Sequence, residues 1–155
     1  MLNPVTAEFI SQLQRLLPAA AFPELGDKYL TEPRGQYRGS AGLLVAPDST
    51  AQVAQVIAAA VAARIGVVPY GGGTGLVGGQ ILPECTTDAP APLILSLGRM
   101  RRIRACYPAE NVLVAEAGAV LAEVQQSAAD VDRLFPLSLA SEGSAQIGGL
   151  LATNA

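Results

Sequence analysis

Residues 71–79, Gly-Gly-Gly-Thr-Gly-Leu-Val-Gly-Gly, are the part of this 155-residue sequence best suited to chemistry. Glycine accepts positive φ and lets backbone N–H groups reach a ligand with no Cβ in the way, which suits a pyrophosphate that needs several donors at once. Thr74 adds a hydroxyl donor. A tightly turned loop with no ligand is the plain alternative, but ordering so many glycines costs substantial backbone entropy. A second small-residue stretch, residues 143–155, again offers closely approaching backbone, with Ser144, Thr153 and Asn154 as side-chain partners. Two such segments point to a long cofactor held along its length.

Gly73, Gly75 and Gly78 satisfy the G-x-G-x-x-G dinucleotide pattern. That pattern works only where a helix starts at the loop and aims its N-terminus at the pyrophosphate. Here Gly78-Gly79-Gln80-Ile81-Leu82-Pro83 carries no helical stripe, and residues 93–97 do not end in an acidic residue suited to a ribose. A nicotinamide-binding Rossmann protein would require a helix after Gly79. A Walker loop fails because no lysine follows the glycines.

The elements that must position these residues follow from periodicity. Phe9, Ile10, Leu13, Leu16 and Leu17 predict a helix over residues 6–17, with Asn3 and Pro4 as N-cap and first-turn proline. Residues 26–42, with Tyr29, Tyr37 and three glycines beyond Gly26, read as a loop laid across the domain. Residues 43–46 form a short apolar strand closed by Pro47. Ser49 to Gln52 matches a reciprocal capping box, and Val53, Val56, Ile57, Ala60 and Val61 then make one stripe that Gly66 stops. Val67-Val68 reads as a second strand, completing a βαβ unit with parallel strands and a right-handed crossover. Pro83, Pro90 and Pro92, with Thr86, Thr87 and Asp88, make a non-helical loop before a third strand at residues 93–97. A fourth strand at residues 112–117 breaks at Gly118, and Val120, Leu121, Val124 and Ala128 outline a further helix.

Half the residues are hydrophobic and 15% are charged, so a chain of this length buries a real core. The net charge is −3 with one lysine, Lys28, which argues against a nucleic-acid partner. Arg99, Arg101, Arg102 and Arg104 could touch phosphates, but a solvated turn between two strands accounts for them as well. The absence of histidine, with only Cys85 and Cys106 as thiols, removes zinc fingers, zincin helices and histidine-based triads from consideration within these residues. No metal ligand set and no catalytic residue is expected here. No signal-peptide pattern and no apolar run of spanning length stands out, so free thiols and a cytoplasmic location are expected.

Val68-Pro69-Tyr70 leading into the glycine run, followed by Leu93 to Leu97 and by Phe135-Pro136-Leu137 through Ile147-Gly148-Gly149-Leu150-Leu151-Ala152-Thr153-Asn154-Ala155, resembles the FAD-linked oxidase family related to vanillyl-alcohol oxidase and p-cresol methylhydroxylase. Within it the D-lactate, glycolate and D-2-hydroxyglutarate dehydrogenases look most similar. The resemblance runs from about Tyr29 to the end. It implies an α+β domain with an α/β-like first subdomain, a small parallel sheet with helices, followed by the start of an antiparallel subdomain, of FAD-binding type and not Rossmann. It also implies cofactor contacts from Tyr70, Gly71, Gly72, Gly73, Thr74 and Gly75, with Leu76 and Gly78 shaping the loop. Pro136, Leu137, Gly143, Ser144, Ile147, Gly148, Gly149 and Thr153 would meet the sugar, ribityl and isoalloxazine portions. Some relatives attach FAD through a histidine near the glycine loop. This chain has none, so its flavin is expected to be non-covalent. Tyr70 stands where a basic or small residue is more usual, and Ser138 and Leu150 replace an expected aspartate and asparagine.

The expected organisation is an N-terminal helix and lead-in over residues 1–28, then the first part of an FAD-binding domain over 29–155. The family's chains run on into a substrate domain, so a catalytically incomplete piece of a 2-hydroxy-acid dehydrogenase is expected. Its partners would be FAD and, in the full enzyme, a small 2-hydroxy acid, with no nucleic acid and no membrane span. The alternative is a non-catalytic module that keeps the fold without flavin and self-associates through an apolar surface left uncovered.

Overall fold

The computed structural model describes residues 1–82, 85 and 89–155. Pro83, Thr86, Thr87 and Asp88 of the expected proline-rich loop lie outside the described residues.

The N-terminal helix α1 spans Ala7–Leu16. Its cap is Thr6, whose hydroxyl accepts the Phe9 N–H at 3.2 Å, with Glu8 in the first turn and Arg15 in the last. Asn3 does not cap it, contrary to expectation. Asn3 instead donates its N–H to Arg64 O and its Nδ2 to Ala63 O, both at 2.8 Å, and so satisfies carbonyls at the end of the next helix.

That helix, α2, spans Thr50–Ala63 between strands β1, Leu43–Val45, and β2, Val67–Tyr70. Ser49 accepts the Gln52 N–H at 3.4 Å, but the return arm of the box goes one residue further back, with Gln52 Oε1 accepting from Asp48 N–H at 3.1 Å. Its buried face is Val56, Ala59 and Ala60, while Ile57 and Val61 point outward, Val61 at 71% exposure. The expected stripe is thus rotated, with Val53 and Ala63 packing beside the buried Val56, Ala59 and Ala60. Arg64, in the left-handed region at φ 55°, ends the helix ahead of Gly66.

Strand β3, Leu93–Ser96, lies between β1 and β2, so the three-stranded parallel sheet has the order β1-β3-β2. Leu93 stands opposite both Leu43 and Val67, and Ile94 opposite Leu44 and Val68. The alternation separates two cores. Phe9, Leu13, Leu17, Val45, Val56, Leu93 and Leu95 fill the layer beneath the helices. Leu44, Ile94 and Tyr70 face the other way, under Leu25, Tyr29 and Leu30 of the long loop.

Strand β4, Ile103–Tyr107, was not anticipated; it pairs antiparallel with β5, Val112–Ala115, as a two-stranded sheet. Helix α3, Leu121–Ala129, follows, and α4, Ile147–Thr153, turns the second small-residue stretch into a short helix. The mixed helix-and-strand architecture, with a small parallel sheet and a separate antiparallel pair, is the expected fold class.

The loop over residues 26–42 is organised around a buried carboxylate. Glu32 accepts N–H bonds from Arg34 at 2.9 Å and Gln36 at 2.5 Å, which hold its carboxyl below the usual range. A Cβ on Gly78 would lie 3.3 Å from the Tyr37 ring, so this loop also buttresses the glycine run. Glu32→Ala is expected to release the Arg34 and Gln36 amides to fast hydrogen exchange, leaving the α1 and α2 amides protected. Equal protection in both proteins would contradict this role.

Candidate functional site

All three parallel strands point their C-terminal ends at one cleft of about 580 Å³, the usual ligand position for an open parallel sheet. Ala46 follows β1 into it, Tyr70 ends β2 there with Gly71 to Gly73 beyond it, and Ser96 ends β3 with Gly98 and Arg99 beyond. Lys28, Tyr29 and Thr31 of the long loop also line it, as do Ser144 and Gln146, which lie beside Gly72 and Gly71.

The glycine run leaves β2 as an irregular loop with no helix behind it among residues 80–82, as the failed Rossmann context implied. Gln80 staples it, its Nε2 donating to Gly75 O at 3.0 Å and Gly73 O at 3.4 Å. Gly73 takes φ +71°. Gly72 is where the two clamps touch, since a Cβ there would lie 2.0 Å from Ser144 O. Among the described residues, the N–H groups of Gly71 to Gly75 donate to no protein acceptor. These donors are left for an acceptor-rich ligand such as a phosphate.

Tyr70 floors the cleft. Its hydroxyl donates to Lys28 O at 2.7 Å and its ring meets that of Tyr29 at 4.8 Å between centroids. Burial, then the nearby Tyr29, pushes the phenol above its ordinary value, so it stays a neutral donor. Two cations border the site. Arg99 is engaged by Ala46 O at 3.0 Å and by Asp48 at 3.1 Å. Lys28 lies with its Nζ 4.9 Å from the Tyr29 ring centroid and, among the described residues, has no carboxylate partner.

Of the residues named from sequence, Tyr70, Gly71, Gly72, Gly73 and Ser144 line the cleft. Thr74, Gly75, Leu76 and Gly78 continue the loop away from it. Gly148 packs against Ala117, and its N–H donates to Ala117 O at 2.8 Å. Ile147 begins α4, donating to Ala119 O at 2.9 Å. Gly149 and Thr153 lie on exposed turns of α4, the Thr153 hydroxyl donating to Gly149 O at 2.9 Å. Pro136 and Gly143 are exposed, and Leu137 O accepts from Gln125 Nε2 at 2.8 Å. Sequence reasoning missed Lys28, Ser96, Gly98 and Gln146. Lys28 had a signal, as the single lysine; the others reach the cleft only through strand order.

The arginine cluster is spent internally. Buried Glu116 accepts from Arg102 Nη2 at 2.8 Å and Arg104 Nη2 at 3.0 Å, Arg99 pairs with Asp48, and Arg101 pairs with Glu123.

The family model described as an FAD binding domain matches residues 41–155. A probable mitochondrial D-2-hydroxyglutarate dehydrogenase of Oryza sativa subsp. indica is 38% identical over 121 residues, covering 78% of this chain and 21% of that protein. The mitochondrial D-2-hydroxyglutarate dehydrogenase of Bos taurus is 31% identical over 155 residues, 97% of this chain and 27% of that protein. The chain therefore spans about a quarter of the length of these relatives. Among solved structures, an alkyldihydroxyacetonephosphate synthase superposes with a TM-score of 0.83 at 18% identity, over 100% of this chain and 33% of that one. That likeness speaks to the fold. The expected cytoplasmic location is overturned, because the rice and cattle relatives are named as mitochondrial, and sequence offered only an absence of targeting patterns as its ground. The backbone donors, the close approach of two glycine-bearing segments and the family match agree: this chain belongs to the FAD binding domain family, and FAD is its cofactor.

Proposed function

We propose that this chain is the cofactor-holding portion of a flavin-dependent dehydrogenase that oxidises a small 2-hydroxy acid of the D-lactate, glycolate or D-2-hydroxyglutarate class. The observation that carries this reading is the row of amides at Gly71 to Gly75 that, among the described residues, donate to no protein acceptor, the first three lining the cleft where Gly72 meets Ser144 at the ends of the parallel strands. Relatives named as D-2-hydroxyglutarate dehydrogenases support the substrate class.

Bound FAD supplies the hydride acceptor. The chain's own residues bind and orient it. Gly71, Gly72, Gly73, Thr74 and Gly75 donate to the pyrophosphate, and Lys28 adds positive charge from the long loop that borders the same cleft. Leu76 and Gly78 shape the loop, and Tyr70 closes the floor. Pro136, Leu137, Gly143, Ser144, Ile147, Gly148, Gly149 and Thr153 approach the ribityl and ring portions. The lead-in over residues 1–28 braces the sheet from behind, through Phe9 and Leu13. With no histidine among residues 1–155, these residues hold the flavin without a histidyl bond.

Titrating the purified protein with FAD tests the reading. A shifted flavin absorbance band and quenched fluorescence are expected, with all flavin released on denaturation. Free-flavin spectra at high protein concentration would sink the proposal, and flavin retained after denaturation would overturn the non-covalent part. The protein by itself is expected not to reduce FAD with D-lactate or D-2-hydroxyglutarate, since it supplies cofactor positioning alone.

A further inference from the structure

Lys28 is the single lysine of the chain and lines the cleft. The carboxylates of its own loop and of the cleft's border are engaged elsewhere. Asp27, its neighbour in sequence, pairs with Arg38 at 2.5 Å, and Asp48 pairs with Arg99 at 3.1 Å. Glu32 accepts the N–H groups of Arg34 and Gln36. Among the described residues no acidic group pairs with the Lys28 ammonium, so its positive charge is left for a ligand.

The main chain of Lys28 is held. The Tyr70 hydroxyl donates to Lys28 O at 2.7 Å, a link across 42 residues of chain. The Tyr70 and Tyr29 rings meet with centroids 4.8 Å apart, and Lys28 Nζ lies 4.9 Å from the Tyr29 centroid. The same hydroxyl lies against the glycine run, 2.2 Å from where a Cβ on Gly73 would sit. One phenol oxygen thus joins the carbonyl of the unpaired lysine to the middle of the donor row. The buried Tyr70 ring fills the floor without it. What the hydroxyl adds is a fixed place for Lys28. Untethered, residues 28–29 are free to carry the ammonium out into water, where a charge is screened and contributes little.

We propose that Tyr70 is a positioning residue that acts through Lys28: its hydroxyl holds residues 28–29 beside Gly73, so that the Lys28 ammonium reinforces the pull of the glycine amides on a diphosphate. This rests on the FAD reading above, and it gives the loop over residues 26–42 an electrostatic part in cofactor capture. Lys28 supplies the charge, and Tyr70 sets whether the ligand feels it.

Lys28→Met removes the charge, and Tyr70→Phe removes the tether while keeping the ring. Calorimetric titration at low salt is expected to give FAD affinity lower by about three- to fivefold for Lys28→Met and by about twofold or more for Tyr70→Phe. The double variant is expected to bind no more weakly than Lys28→Met alone, because the two residues act as one unit. Both losses are expected to shrink between about 0.01 and 1 M salt, as the screening length contracts from roughly 30 to 3 Å. A tyrosine that only packs, or that meets the cofactor directly, gives a loss that survives salt and multiplies with that of Lys28→Met; either result overturns the proposal. Parent affinity in either single variant does the same. The single lysine also gives a readout that needs no variant. Saturating FAD is expected to slow acylation of Lys28 several-fold in the parent, followed by mass spectrometry of the peptide that carries it, and equal rates with and without FAD overturn the proposal. Failure of the parent protein to bind FAD at all is a different result and removes the reading on which this one stands.

Discussion

Gly72→Ala is expected to lower FAD affinity by about tenfold or more, and to depress the melting temperature by a few degrees. The added Cβ would lie 2.0 Å from Ser144 O, 2.8 Å from Ser144 C and 3.2 Å from the Ala145 Cα. All three are backbone atoms, so no side chain can swing aside. Either the glycine loop or residues 144–145 must move, and the clamp opens. Overpacking of this kind costs about 1–3 kcal/mol, and each 1.4 kcal/mol lost from the bound geometry is roughly tenfold in affinity. Gly79→Ala is the control, since nothing lies within 4 Å of its Cβ position. Calorimetric titration of both variants with FAD checks the difference. If Gly72→Ala binds as tightly as the parent, the contact between the clamps has no part in holding the cofactor.

The second large effect is expected at Glu116. Its carboxylate is buried, accepts the Arg102 N–H at 2.9 Å, and draws in the Arg102 and Arg104 guanidiniums. These contacts, led by the Arg102 side chain and then its N–H, lower its pKa from 4.5 to about 2. A depressed carboxylate pKa contributes stability that is complete above about pH 4.5 and is lost as pH falls from there through about 2. Glu116→Gln is therefore expected to melt several degrees lower at pH 7, and to lose less further stability than the parent between pH 4.5 and 2. The consequence reaches the cleft. Residues 117–119, directly after Glu116, accept the Gly148 and Ile147 N–H groups at 2.8 and 2.9 Å, so a loosened Glu116 also loosens the second clamp. Coincident melting curves at both pH values would show that the two exposed arginines screen the carboxylate without stabilising the fold.

Much of this could be read from the residue string. Short apolar runs bounded by glycine and proline marked β1, β2, β3 and β5, and the lack of a helical stripe after Gly79 ruled out the Rossmann loop. Strand β4 escaped because Arg102 and Arg104 looked solvated; their partner, Glu116, is twelve or more residues away and declares itself only once the strands pair. Helix α4 escaped because Gly148 and Gly149 are poor helix formers, and the helix rests on tertiary hydrogen bonds to Ala117 and Ala119. The stop at Arg64 was hidden for a similar reason, since Asn3, sixty residues earlier, supplies the donors its end requires. Gln146 could not be singled out at all, because its place beside Gly71 exists only in the fold.

The position of β3 in the middle of the parallel sheet governs the order of assembly. Strands β1 and β2 share no ladder, so each stays an open edge until residues 93–96 arrive between them. The connection that delivers β3 is the segment beginning with the glycine run, whose first residues floor the cleft. The sheet therefore cannot close without the segment that carries the glycine loop. Non-local pairing of this kind exacts its loop-closure entropy before any ladder forms. A ligand that grips residues 71–75 stabilises the same step that brings the last strand home.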